Sequence, residues 1–274
     1  MKILNLVYAN ESDISYKISQ FPDGQQDVSV GTINGKKVNI YSRMNSFRDL
    51  ELIICTVAAL RRKGINKIEL YIPYLLGARS DRQFGIGTTS YLVDVVAPIL
   101  NSLKLKQIKV VDVHSDVAPA CIKNLFLYSN ESLFSWTKYM IYGNKAPVAE
   151  YVLVSPDGGS LKKIYNLGKN EVVVASKHRD IATGQIDSTE VSIPEHLAGR
   201  DFIIVDDICD GGRTFIELAK KVKPLIKGKL YLVVTHGVFS KGLGELSEYF
   251  DHIYCTNSYS DIKHPKLTQH QIFK

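Results

Sequence analysis

The chain has 274 residues, 45% of them hydrophobic and 23% charged, with a formal net charge of +6. At roughly 100–200 residues per domain this is about two domains' worth, with the balance of a folded globular protein rather than a disordered one. The four cysteines are scattered without a C-x-x-C pair, which argues against zinc-finger and thioredoxin-like sites and for a reducing, cytoplasmic compartment. The longest near-apolar run, residues 52–60, is about half a membrane span, and residues 1–8 are too interrupted for a secretory core, so membrane and secreted classes are excluded at this level.

In chain order, 48–63 predicts an amphipathic helix stopped by Gly64, and 67–72 a strand. Residues 91–103 have helical spacing, with Pro98 implying a kink or early break. Residues 107–113 form a β-branched strand that His114 closes. A boundary is expected near residue 145, inside 143–147. The plan then repeats: strand 151–154, turn 155–159, helix 160–167, and strands 171–175 and 201–205. A helix from Thr214 ends before Pro224; strand 229–234, helix 241–249 and a last short strand 252–255 follow. Strands alternating with helices predict an α/β fold of parallel sheets covered on both faces, in two similar halves, 1–145 and 146–274.

Ligands of open α/β sheets gather at the carboxyl ends of strands. The strongest signal there is Ile203-Ile204-Val205-Asp206-Asp207-Ile208-Cys209-Asp210-Gly211-Gly212-Arg213-Thr214. An apolar strand runs into acids and then into a small-residue turn that opens a helix. Backbone N–H groups at a helix start bind phosphate, and glycines let it approach. Thr214 adds a hydroxyl. Adjacent carboxylates suit either the 2- and 3-hydroxyls of a ribose or a hydrated magnesium ion. Upstream, Lys177 and Arg179 stand two apart at a strand end, so both can face one way.

Seven collinear segments carry a resemblance to one family. They are Phe21-Pro22-Asp23-Gly24-Gln25, Ile72-Pro73-Tyr74 with Ala78-Arg79-Ser80-Asp81-Arg82, Asp112-Val113-His114, Ser155-Pro156-Asp157-Gly158-Gly159, Lys177-His178-Arg179, the Asp206–Thr214 stretch, and Thr235-His236 through Ser240. From about residue 21 to 258 the chain resembles the ribose-phosphate pyrophosphokinases (phosphoribosyl-pyrophosphate synthetases). The resemblance implies two type I phosphoribosyltransferase-like halves with the active site between them. It implies transfer of the β,γ-diphosphate of ATP to the anomeric hydroxyl of a ribose phosphate, with magnesium as cofactor and ATP as co-substrate. Lys177 and Arg179 would be catalytic, since cations on a transferring phosphoryl group can be worth roughly 10³–10⁵ in rate. Phe21, Asp23, Gln25, Arg79, Ser80, Asp81 and His114 would bind ATP. Asp157, Gly158, Gly159, Asp206, Asp207, Asp210, Gly211, Gly212, Arg213 and Thr214 would bind the ribose phosphate, and His114 and Asp157 the magnesium. Residues 21–25 would complete a neighbouring subunit's site, hence a homo-oligomer. The mild net charge, with no aromatic platform, implies no nucleic-acid partner, and no membrane partner is expected.

The chain departs from the family pattern in four places. Gln25 stands for a glutamate and Ser80 for a glutamine; the stretch 115–124, which in the family helps build a hexamer and its allosteric site, is shorter; and Arg213 replaces a small residue in the phosphate loop. An arginine there either clamps one phosphate or reads a diphosphate, which makes ADP-ribose an alternative acceptor, giving ADP-ribose 1-pyrophosphate for NAD resynthesis. A non-catalytic synthetase-associated subunit is the alternative of another class, opposed by retention of Lys177, Arg179, His114 and Asp157. A phosphoribosyltransferase would share Asp206–Thr214 but need neither the Lys177/Arg179 pair nor the Phe21 segment.

Overall fold

A computed structural model describes residues 1–83, 85–145, 151–168, 170–179 and 186–273. The chain divides into two compact units, Met1–Ser129 with Phe273–Lys274, and Asn130–Ile272.

The first unit is built on strands β1 (Lys2–Asn5), β4 (Lys37–Tyr41), β5 (Lys67–Tyr71), β6 (Gln107–Val111) and β7 (Leu125–Tyr128), all parallel and adjacent in that order. Alternate residues of the inner strands (Val38, Ile40, Ile68, Leu70, Ile108, Val110) turn to one face and are buried there with Leu50, Ile53, Val57 and Leu60 of α1 (Phe47–Arg62). This helix starts on a reciprocal cap: Ser46 Oγ accepts from Asp49 N at 3.3 Å, and Asp49 Oδ2 accepts from Ser46 N at 2.9 Å. It stops where predicted, with Gly64 at φ +80°. An antiparallel hairpin, β2 (Tyr16–Gln20) and β3 (Gln26–Val30), packs Val28 and Val30 into the same core.

Two expectations are corrected in this unit. The helix over 91–103 does not break at Pro98: a wide π-helical turn, Leu92–Val96, runs into α2 (Ala97–Ser102), and Ala97 N donates to Leu92 O. Proline at the start of α2 needs no N–H partner, so the widened turn absorbs it. The strand over 107–113 ends at Val111, because Asp112 takes φ +43°. His114 therefore lies exposed in the loop before α3 (Val117–Cys121) rather than closing a strand.

The second unit opens with α4 (Glu131–Tyr142), ahead of the boundary expected at 143–147, part of which lies outside the described residues. Its strands are β8 (Tyr151–Ser155), β9 (Val172–Val174), β12 (Asp201–Cys209), β13 (Leu230–Gly237), β14 (His252–Thr256) and β15 (Leu267–His270). They form one parallel sheet in the order β15-β14-β13-β12-β8-β9. Apolar clusters cover both faces, and every residue of β13 is buried, as a central parallel strand requires. From β8 the chain steps outward to β9, then crosses back to β12 and proceeds the other way. The strand order thus reverses between β8 and β12, and in open sheets such a reversal leaves a crevice at the carboxyl ends. A separate hairpin pairs β10 (Ser176–Arg179) with β11 (Ile186–Glu190). The helices α5 (Leu161–Tyr165), α6 (Arg213–Val222) and α7 (Gly244–Tyr249) are shorter than or shifted from the predicted 160–167, 214–223 and 241–249.

Candidate active site

The carboxyl ends of β8 and β12 hold the densest group of predicted site residues. After β8 the chain turns through Ser155–Ser160. Asp157 Oδ1 accepts from Gly159 N (3.0 Å) and Ser160 N (3.1 Å), and Ser155 Oγ donates to Asp157 O at 2.6 Å. This is the local turn an Asp followed by two glycines forms readily, and it leaves Gly158 and Gly159 exposed. On the neighbouring strand, Asp206 and Asp207 lie inside β12, not beyond it: pairing with β13 continues through Ile208 and Cys209. The expected strand end at 205 is therefore four residues early.

The two strand ends are tied together. Ser160 Oγ stands 2.9 Å from Asp206 Oδ1 and 3.2 Å from Asp157 Oδ1. Lys163 Nζ donates to Asp207 Oδ2 at 2.9 Å, and Asp207 N donates to Asp206 Oδ1 at 2.9 Å. Burial, with the adjacent Asp207 charge second, pushes the Asp206 carboxyl up to about 7.

Past β12 the chain forms a small-residue cradle. Asp210 accepts from Ser240 Oγ at 2.6 Å. Gly212 takes φ +80°, and a Cβ there would meet Leu246 Cδ1 at 2.9 Å. A Cβ on Gly211 would touch the Lys241 stem at 3.4 Å. Gly212 O accepts from Phe215 N and Ile216 N, so α6 begins immediately, with Arg213 exposed and Thr214 half-buried at its first positions. The leading N–H groups of such a helix have no partner within it and carry its positive dipole end.

Lys177 and Arg179 fall on β10, whose register against β11 shifts between His178 and Arg179. Their side chains lie outside the described residues.

The remaining predicted residues belong to the first unit. Phe21, Asp23 and Gln25 form the exposed turn of the β2–β3 hairpin; Phe21 is 52% exposed, and Asp23 Oδ1 accepts from Gln25 N at 3.2 Å. Arg79 is exposed. Ser80 is half-buried; its Oγ accepts from Tyr91 N at 3.2 Å and its carbonyl from Leu92 N at 3.0 Å. Asp81 is buried and accepts from Ser115 Oγ and from Arg82 Nε at 3.1 Å. Burial pulls its carboxyl up, but donation from Ser115 and Arg82 prevails and holds it below the usual range. That contact joins the 79–82 segment to the loop of His114.

The carboxylates Asp157, Asp206, Asp207 and Asp210 are the hard oxygen donors that magnesium prefers, whereas His114 offers an imidazole from the other unit. Among the described residues no group of three or more His, Cys, Asp or Glu is arranged to hold a metal ion. Sequence reasoning missed Ser160, Lys163, Ser240 and Ser115. Only Ser240 lay in a quoted motif; the others are ordinary polar residues until the fold brings them onto acids 34–46 positions away.

No protein-family model matches the chain. It is 26% identical over 238 residues to a ribose-phosphate pyrophosphokinase of Pyrococcus abyssi, covering 84% of this chain and 78% of that one. It is 27% identical over 248 residues to the protein of that name from Vibrio cholerae, covering 87% and 76%. The crystal structure of phosphoribosylpyrophosphate synthetase from Mycobacterium smegmatis superposes with a TM-score of 0.81 at 20% identity, over 97% of this chain and 88% of that one. The chain is a divergent relative of the ribose-phosphate pyrophosphokinases and has their fold.

Proposed function

We propose that the chain is a ribose-phosphate diphosphokinase, which moves the β,γ-diphosphate of ATP to the C1 oxygen of ribose 5-phosphate. In that reaction the anomeric oxygen attacks the β-phosphorus, the P–O bond to the α-phosphate breaks, and AMP leaves while the attacking hydroxyl gives up its proton. The observation that carries the reading is the joined group at the ends of β8 and β12: adjacent carboxylates, Asp207 buried and Asp206 half-buried, for the ribose hydroxyls beside a glycine cradle and helix start for the 5-phosphate.

Asp206 and Asp207 orient the sugar by its hydroxyls, and Asp210, Gly211, Gly212 and Thr214 hold its phosphate. Lys177 and Arg179 neutralise the diphosphate in flight. Such chemistry needs positioning and charge neutralisation more than covalent help. The first unit supplies the nucleotide contacts, Phe21, Asp23, Gln25, Arg79, Ser80, Asp81 and His114. Magnesium would be held by Asp157 and His114, and it would offset the charge of the triphosphate. The exposed Phe21 turn serves a neighbouring subunit, which makes the working form a homo-oligomer in the cytoplasm.

A second acceptor is favoured by one observation. Arg213 is exposed at the first position of α6, and the Lys241 stem lies over Gly211, so two cations flank the cradle. One phosphate needs less. ADP-ribose presents a diphosphate at the same place and the same free anomeric hydroxyl. The test is AMP formation by the purified protein with MgATP and each sugar. Ribose 5-phosphate yielding AMP supports the main reading; ADP-ribose alone yielding it supports the second. AMP with neither places the chain with non-catalytic associated subunits. Arg213→Gly should shift the preference between sugars while leaving the ATP KM within about twofold, since a lone exposed arginine contributes mainly through the charge it meets.

A further inference from the structure

The carboxylates of the site do not hold themselves in place. Asp206 and Asp207 are adjacent in β12, and Asp207 is 3% exposed. Two neighbouring carboxylates in such surroundings repel one another and lack water to offset the repulsion. Asp157 comes from a different strand end. One turn of chain reaches all three. Ser160, itself buried, places its hydroxyl between Asp206 (2.9 Å) and Asp157 (3.2 Å), and Lys163, three residues on, meets Asp207 at 2.9 Å. Residues three apart at a helix start lie on one side of it, so a single rigid piece fixes both contacts.

We infer that Ser160 and Lys163 are positioning residues for the acceptor, setting the carboxylates of β12 so that their outer oxygens receive the ribose hydroxyls. Neither is assigned a role by the reaction itself. Lys163 neutralises one member of the pair and thereby lets the other carry its charge toward the sugar. Ser160 has one proton to donate and two acceptors within reach, so it couples the Asp157 turn to the sugar-binding strand. The inference rests on the function proposed above, and it says which half of the reaction these residues serve: acceptor binding, not nucleotide binding.

Steady-state kinetics of the full chain, with calorimetric binding of ribose 5-phosphate alongside, tests it on Ser160→Ala, Ser160→Thr, Lys163→Met and Lys163→Arg. Loss of a charge-assisted hydrogen bond predicts that Ser160→Ala and Lys163→Met each raise the acceptor KM and weaken acceptor binding by about tenfold or more. The ATP KM should stay within about twofold, and the Thr and Arg variants should recover most of the loss. A merely structural role would move both KM values together or neither. An unchanged acceptor KM in a folded Lys163→Met or Ser160→Ala protein overturns the inference and leaves the proposed function standing. If Lys163→Met fails to fold, Ser160→Ala and Lys163→Arg decide. Wild-type protein that neither binds nor turns over ribose 5-phosphate, with ADP-ribose tried in its place, removes the function and the inference with it.

Discussion

Asp206 is the residue on which the site's charge depends. An ordinary carboxyl titrates near 4, whereas burial and the Asp207 charge lift this one to about 7. Between those values the folded chain holds a proton that the unfolded chain has lost, so its contribution to stability is complete below about pH 4 and falls as pH rises through 7. Asp206→Asn removes that slope. Melting curves at pH 5 and pH 8, without divalent cation, should show the variant gaining on the wild type at pH 8, by up to about 3 kcal/mol for the roughly two pH units between 5 and 7 over which the wild type loses this contribution; an identical slope in both proteins would contradict the assignment. Under the proposed function the same ionisation should make acceptor kcat/KM climb as pH passes 7, because only the carboxylate would accept two ribose hydroxyls. In the proposed function Lys177 would act at the other end of the reaction. Replacing it with Ala should cut turnover by about 10³-fold or more with an unchanged circular dichroism spectrum, and normal turnover would place the chemistry elsewhere.

Among the elements, the passage from β12 through the cradle into α6 matters most. Gly212 is confined twice, by a left-handed φ of +80° and by Leu246 at 2.9 Å from any Cβ. Gly212→Ala should cost about 1–2 kcal/mol, lower the melting temperature by about 2–4 °C per kcal/mol, and weaken acceptor binding more than ATP binding. Equal stability and acceptor affinity would mean the cradle is looser than its geometry. Much at this scale was legible in the sequence. The stop of α1 at Gly64 follows from glycine's freedom at a helix end, and the strand at 67–72 from its β-branched, apolar run. The acids of β12 were legible as a motif but were set past the strand, because the pull of Ile208 and Cys209 onto β13 is a pairing between distant residues. Pro98 reads as a kink or an early break because local rules know only the α-turn, while the fold substitutes a wider one. The β2–β3 hairpin carries a turn signature in Pro22-Asp23-Gly24, but its strands, polar on alternate residues, gave no apolar run to detect on either side of it. Lys163, Ser160 and Ser115 were invisible for a common reason: each matters only through a partner dozens of residues away.

For the whole molecule, two parallel sheets are built from one chain, and the motifs sort between them. Those quoted for the nucleotide lie in Met1–Ser129, and those for the sugar and its phosphate in Asn130–Ile272. The exposed Phe21 turn makes the assembly testable. Phe21→Ala and Lys177→Ala proteins, each weak or inactive alone, should recover a measurable fraction of turnover when mixed, since some sites then receive both intact parts; persistent inactivity of the mixture would confine Phe21 to its own subunit's site or to none. The proposed reaction makes a bond between the β-phosphorus of ATP and the C1 oxygen of the sugar. Its most direct measurement is ³¹P and ¹³C magnetic resonance of the purified protein with MgATP and ribose 5-phosphate labelled at C1. The expected result is a labelled C1 signal that gains coupling to phosphorus while AMP accumulates in equal amount. ATP cleaved to ADP, or AMP formed with no phosphorus on C1, would contradict it.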